Sequence, residues 1–192
     1  MTRPFRESAD VIEHGDALRQ RLHDDGYLFL PGLLPQDVLE DLRLTWLRII
    51  CDAGWVRTDR DLNEGVADLN GFCVEPEPRY MDVYHDVYRL PEFHGLQHHP
   101  RLIGLFERIL GGEVLPHPRL IGRTIFPARE AYTTPPHQDY IPIQGTPESY
   151  TAWIPLSHIP PEMGGLQLSE GSHQRGVYEF RPALGAGGIE VT

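Results

Sequence analysis

The sequence predicts a single, mainly β domain led by helices, and three observations carry that expectation. Up to residue 112 the apolar residues recur at helical spacing. From residue 113 they come in short runs cut by proline and glycine, the pattern of a β-sandwich or barrel. No internal repeat or low-complexity segment interrupts either part, so residues 1–192 read as one domain with a mostly helical part, 1–112, and a strand part, 113–192. A chain of 192 residues is long enough to bury a real core without splitting into two.

Residues 10–25 read as a first helix, with Val11, Ile12, Leu18 and Leu22 on one side and Gly26 as its stop. The apolar run Tyr27-Leu28-Phe29-Leu30, closed by Pro31-Gly32, reads as a short buried strand. Pro35 then opens a second helix whose Val38, Leu39, Leu42, Trp46, Leu47 and Ile50 keep helical spacing over four turns. Residues 51–78, rich in Asp, Gly and Asn, read as irregular. A third helix spans 100–110 with Leu102, Ile103, Phe106, Ile109 and Leu110, and Gly111-Gly112 ends it. Beyond it the expected strands are Val114-Leu115, Leu120-Ile121, Thr124-Ile125-Phe126, 150–156, Leu166-Gln167-Leu168 and 177–180.

Composition removes several classes of function. The net charge of −11, with no basic cluster, argues against nucleic acid or an anionic membrane as partner. No stretch approaches the roughly 18 apolar residues of a membrane span. All 17 basic residues are arginine, so Schiff-base chemistry and lysine general bases are excluded, and an anionic ligand must be held by arginine or hydroxyls. Cys51 and Cys73 form no C-x-x-C spacing and no disulfide framework, which points to a reduced, cytoplasmic setting. A small-molecule substrate is the expected partner; the sequence leaves the oligomeric state open.

The chemistry is concentrated in His137-Gln138-Asp139, within Thr134-Pro135-Pro136-His137-Gln138-Asp139-Tyr140. Side chains two residues apart on an extended chain point to one face, so an imidazole and a carboxylate stand ready for one divalent metal. The pair is two-thirds of the 2-His-1-carboxylate triad that leaves open positions on non-haem Fe(II).

Around that pair the chain resembles the phytanoyl-CoA dioxygenase family of Fe(II)/2-oxoglutarate oxygenases. The matching pieces occur in order: residues 26–34 (Gly-Tyr-Leu-Phe-Leu-Pro-Gly-Leu-Leu), His99-Pro100-Arg101-Leu102, Leu110-Gly111-Gly112-Glu113-Val114, His137-Gln138-Asp139, Trp153-Ile154-Pro155-Leu156, and 163–173. The resemblance implies a double-stranded β-helix, the jelly-roll or cupin-like core, packed by helices. It implies Fe(II) held by His137 and Asp139, 2-oxoglutarate and O2 as cosubstrates, and hydroxylation of an unactivated C–H bond of a small-molecule metabolite. Trp153 falls where the family lines its keto-acid pocket, and Arg123 lies on the strand before the motif, facing it. An intact Asp139 favours hydroxylation over halogenation.

The family's second metal-ligating histidine and its keto-acid arginine lie on late strands, well after the turn at Gly171-Ser172-His173. The sequence runs only nineteen residues past His173, with no further histidine and Arg181 as its last arginine. Six or fewer strands are counted, where a jelly roll needs about eight. The expectation is a C-terminally incomplete jelly roll, inactive by itself, from a dioxygenase. The alternatives are a non-catalytic jelly-roll pseudoenzyme or binding module without a full triad, and a cupin enzyme independent of 2-oxoglutarate. His158 and His173 are expected in turns, and His98-His99 at a helix entry. Residues 59–86, acidic and carrying Tyr80, Met81, Tyr84 and His85, are a candidate lid over the pocket.

Overall fold

The structure is a computed structural model and describes residues 3–127, 133–146, 148–183 and 188–192. Its helices are α1 (Gly15–Asp25), α2 (Gln36–Asp52), α3 (Pro78–Tyr88), α4 (Pro91–Leu96), α5 (Pro100–Leu110) and the single turn α6 (Tyr140–Ile143). Two short strands, β1 (Phe180–Pro182) and β2 (Ile189–Val191), pair antiparallel with Arg181 opposite Glu190.

The ends of the helices follow local chemistry. Gly26 closes α1 and Gly111 closes α5 at φ 78° and 72°, the left-handed conformation that glycine adopts without a Cβ penalty. Proline occupies the first turn of α3, α4 and α5, where its missing N–H has no intrahelical partner to lose. In the irregular stretch, Asp61 and Asp68 each open a 3-10 turn by accepting the N–H two residues on, at 2.9 Å.

Packing produces two cores. In the smaller, Leu18 of α1 is fully buried against Leu105 and Ile109 of α5, with Ile12, Leu22, Leu28 and Phe106 around them. The larger joins α2, α3 and α4 through Trp46, Ile50, Trp55, Cys73, Tyr80, Val83, Val87, Phe93 and Phe126. Trp55 stacks on Tyr80 with ring centroids 5.4 Å apart, and Trp46 meets Phe93 edge-on at 5.7 Å. Cys51 and Cys73 are free thiols.

Segment 120–126 is fastened to this core by one face. Gly122 and Phe126 are buried, and Gly122 lies against the rings of Trp46 and Phe93. Between them Thr124 accepts the Trp46 indole N–H on its hydroxyl at 2.9 Å and the Tyr80 hydroxyl on its carbonyl at 3.1 Å. Burial pushes the Tyr80 hydroxyl up to about 12, so it stays a donor. The alternate residues Ile121 and Ile125 are exposed. This is strand-like period-two burial.

Three expectations are corrected. A mainly β fold is not what the described residues form: their only ladder is β1 with β2, and the runs at 114–115, 120–126, 150–156 and 166–168 carry no ladder bonds. A strand is stabilised by a neighbouring backbone about 4.8 Å away, and isolated runs gain nothing from alternation alone. The run 27–30 contributes a single parallel bridge, Glu7 to Phe29, in place of a strand. Part of the proposed lid, 59–86, is instead core wall: Cys73, Tyr80 and Val83 are buried, and α3 packs on α2. Among the described residues no helix is long and apolar enough to cross a membrane.

Candidate functional site

Two prolines precede the H-x-D motif and restrict its approach, since each ring fixes φ near −65°. Asp139 already has helical dihedrals, φ −62° and ψ −28°, and immediately precedes α6. The motif is therefore an irregular segment turning into a helix, rather than the mid-strand site the spacing suggested. The two side chains nevertheless meet, with His137 Nε2 3.2 Å from Asp139 Oδ1. The other imidazole nitrogen, Nδ1, lies 2.8 Å from the carbonyl oxygen of Pro135. A carbonyl can only accept, so Nδ1 carries a proton and the ring is oriented with Nε2 toward Asp139.

The electrostatics follow from that contact. Hydrogen bonding to Asp139 raises the His137 pKa above its ordinary value, against desolvation that pulls it down. The same bond lowers Asp139, desolvation opposes it, and hydrogen bonding with the Thr151 side chain lowers it further. The positive charge of Arg123 lowers both. Arg123 projects from the 120–126 segment and places Nη2 3.5 Å from Glu75 Oε2. Its Nε is buried without a hydrogen-bond partner among the described residues. A buried guanidinium N–H in that position keeps its donor capacity unused.

Metal fit can be judged by geometry. Two adjacent ligands at about 2.1 Å from one ion stand about 3 Å apart, close to the observed 3.2 Å. The pair thus fits two positions of one coordination sphere. Among the described residues no group of three His, Cys, Asp or Glu converges on a common point.

The remaining predicted residues are placed elsewhere or serve other ends. Trp153 is 50% exposed and belongs to neither core. His158 is exposed. His173 packs against Gly26 and bonds the His23 carbonyl through Nε2 at 2.8 Å, fastening the 172–175 turn to the end of α1. His99 caps α5 by accepting the Arg101 N–H, as its position before Pro100 suggested. An open groove against α2 and α3, lined by Asp52, Arg79, Asp82 and Asp86, includes none of the predicted site residues. Sequence reasoning missed Glu75, Thr151 and the contacts of Gln138. Only Gln138 left a signal: on an extended chain it must face away from its two neighbours.

The family model described as phytanoyl-CoA dioxygenase matches residues 22–184. Two curated relatives are each called 1-deoxypentalenic acid 11-beta-hydroxylase. The protein from Streptomyces arenae is 24% identical over 191 residues, covering 93% of this chain and 62% of its own length. That from Streptomyces exfoliatus is 24% identical over 183 residues, covering 91% and 60%. The chain thus spans about three fifths of the length of these relatives. No solved structure matches. With the family model covering most of the chain and including the paired His137 and Asp139, the chain belongs to the phytanoyl-CoA dioxygenase family.

Proposed function

We propose that this chain carries part of the active site of an Fe(II)/2-oxoglutarate-dependent oxygenase that hydroxylates a small-molecule substrate. The observation that supports it is the 3.2 Å approach of His137 Nε2 to Asp139 Oδ1, in a chain matched by the family model over 22–184. The relatives' names describe hydroxylation of a small organic acid, which favours the same reaction class here. Fe(II), when bound, supplies open coordination positions for the keto acid and O2, and with them the oxidising power for C–H hydroxylation.

This chain's own residues do the holding. His137 offers Nε2 while its Nδ1–H stays on the Pro135 carbonyl, so the ring needs no reorientation when a metal replaces the proton. Asp139 offers Oδ1 and keeps the Thr151 hydrogen bond as its support. Arg123, anchored on one side by Glu75, supplies the positive charge for a carboxylate of the cosubstrate. Trp153 would approach the keto acid in the assembled site. The third metal ligand is a histidine outside the described pair.

A second reading, a jelly-roll binding module without a full triad, is favoured by one observation: no third ligand joins the pair among the described residues. The deciding experiment measures succinate formation from 2-oxoglutarate by a protein of the relatives' length containing this chain. Fe(II)-dependent turnover that Asp139→Ala abolishes supports the oxygenase; no turnover together with no His137-dependent metal binding supports the module.

A further inference from the structure

Gln138 leaves the chain between the two paired residues, and both ends of its amide are engaged. Its Nε2 donates to the Gly176 carbonyl at 2.9 Å, and its Oε1 accepts the Tyr178 N–H at 2.8 Å. A carbonyl and an N–H two residues apart on one chain are the groups a neighbouring strand would engage. The planar amide supplies one donor and one acceptor side by side, so it stands in for a strand backbone. Gly176 has φ 77° and ψ −154°, a conformation open to glycine, and this sets the direction of the carbonyl that Gln138 meets.

A second tie holds the same segment from the next residue but one. Pro136 has no N–H, and its carbonyl accepts the Val191 N–H of β2 at 2.9 Å. Residues 136 and 138 are therefore bound to the 176–191 region, while His137 and Asp139 turn to each other. On the other side the Gln138 and Asp139 carbonyls accept the Ile141 and Ile143 N–H groups of the α6 turn at 3.2 and 3.1 Å, so the Gln138 amide is what ties the middle of the motif to the 176–178 backbone.

We propose that Gln138 is a positioning residue: its amide clamps the H-x-D segment to the 176–178 backbone and thereby fixes His137 and Asp139 on one face. The inference deepens the metal-site reading and rests on it for its consequence, metal affinity. It assigns Gln138 no contact with metal or substrate.

Leucine at 138 keeps the bulk and removes both hydrogen bonds. Glutamate keeps the acceptor for the Tyr178 N–H but sets a carboxylate against the Gly176 carbonyl, and is intermediate. The measurements are Mn(II) binding by electron paramagnetic resonance, amide exchange at Tyr178, and the nuclear Overhauser contact between the His137 ring and the Asp139 β-protons, with helical circular dichroism as the folding control. With unchanged helicity, Gln138→Leu is expected to weaken Mn(II) binding 10- to 100-fold, to speed Tyr178 exchange at least tenfold, and to lose the His137–Asp139 contact. Gln138→Leu that binds Mn(II) as the wild type does overturns the proposal. If wild type and Asp139→Ala bind Mn(II) equally, the metal reading has failed instead. The positioning role is then decided by the other two readouts, and a His137–Asp139 contact preserved in Gln138→Leu overturns it.

Discussion

The indole N–H of Trp46 and the hydroxyl of Thr124 are joined at 2.9 Å across 78 positions of sequence, and this bond fastens the segment bearing Arg123 to the helical core. Thr124→Val keeps the shape and removes the acceptor, leaving a buried indole N–H unpaired. The expected loss is about 1–3 kcal/mol, read by urea unfolding. Trp46→Phe combined with Thr124→Val is expected to cost less than the sum of the two single changes, because the shared bond is lost once.

Gly26 offers a test of the tie between α1 and the 172–175 turn. Its φ of 78° disfavours any side chain, and a Cβ there would run into the His173 ring. Gly26→Ala is expected to destabilise by about 1–3 kcal/mol. His173→Ala alone is expected to cost less, and to relieve part of the penalty when combined with Gly26→Ala. Thermal unfolding of the four proteins checks both statements.

Metal binding by the pair is expected to strengthen as pH rises. The folded His137 pKa is raised above 6.5, so the His137–Asp139 ion pair adds stability that is fully present below 6.5 and fades as pH climbs through the raised value. The Asp139 pKa is lowered below 3.8, so its share is present above 3.8 and is lost as pH falls through the lowered value. The proton on His137 competes with the metal, and deprotonation frees Nε2. Mn(II) titrations across pH 5.5–8.5, run at the resolution of single pH units, should show rising affinity with proton release; affinity independent of pH would remove His137 from the ligand set.

Asp139→Ala and His137→Ala are each expected to lower Mn(II) affinity at least tenfold with the helical cores intact, as circular dichroism would show. The 192-residue chain by itself, offering two described ligands, is expected to release little or no succinate. Turnover at ordinary enzyme rates, lost in Asp139→Ala, would mean that a third ligand assembles within it.

Arg123→Met is expected to weaken 2-oxoglutarate binding by about tenfold or more, since a charge-assisted hydrogen bond to a carboxylate is worth about 1.5–3 kcal/mol. Glu75→Gln removes the ion pair that anchors the guanidinium but leaves Arg123 in place, and should weaken binding less. Calorimetry with the Mn(II)-loaded protein checks the order of the three proteins.

What was legible in the sequence was local. The span of α5 was readable from its apolar spacing, and its stop from Gly111. The approach of the H-x-D pair was expected from strand spacing, and the side chains do meet, though in a segment that turns into α6 rather than in a strand. The cap at His99 followed from its place before Pro100.

α3 was not legible. Its Tyr80, Val83 and Val87 keep helical spacing, but the acidic stretch 59–86 read as a lid, and only the tertiary packing shows these three residues to be core. The β content was overread for the converse reason. Alternation in 120–126 shows which residues face the helices, but a ladder needs a partner backbone, which no local pattern supplies.

The sequence by itself determined the glycine stops of α1 and α5 and the pairing of His137 with Asp139, because each rests on interactions within a few residues. Tertiary structure alone decided that Glu75 meets Arg123, that Thr151 supports Asp139, and that the Gln138 amide takes the place of a strand at Gly176 and Tyr178. Those contacts join residues 12 to 48 positions apart, and only the folded chain brings such groups within hydrogen-bonding range.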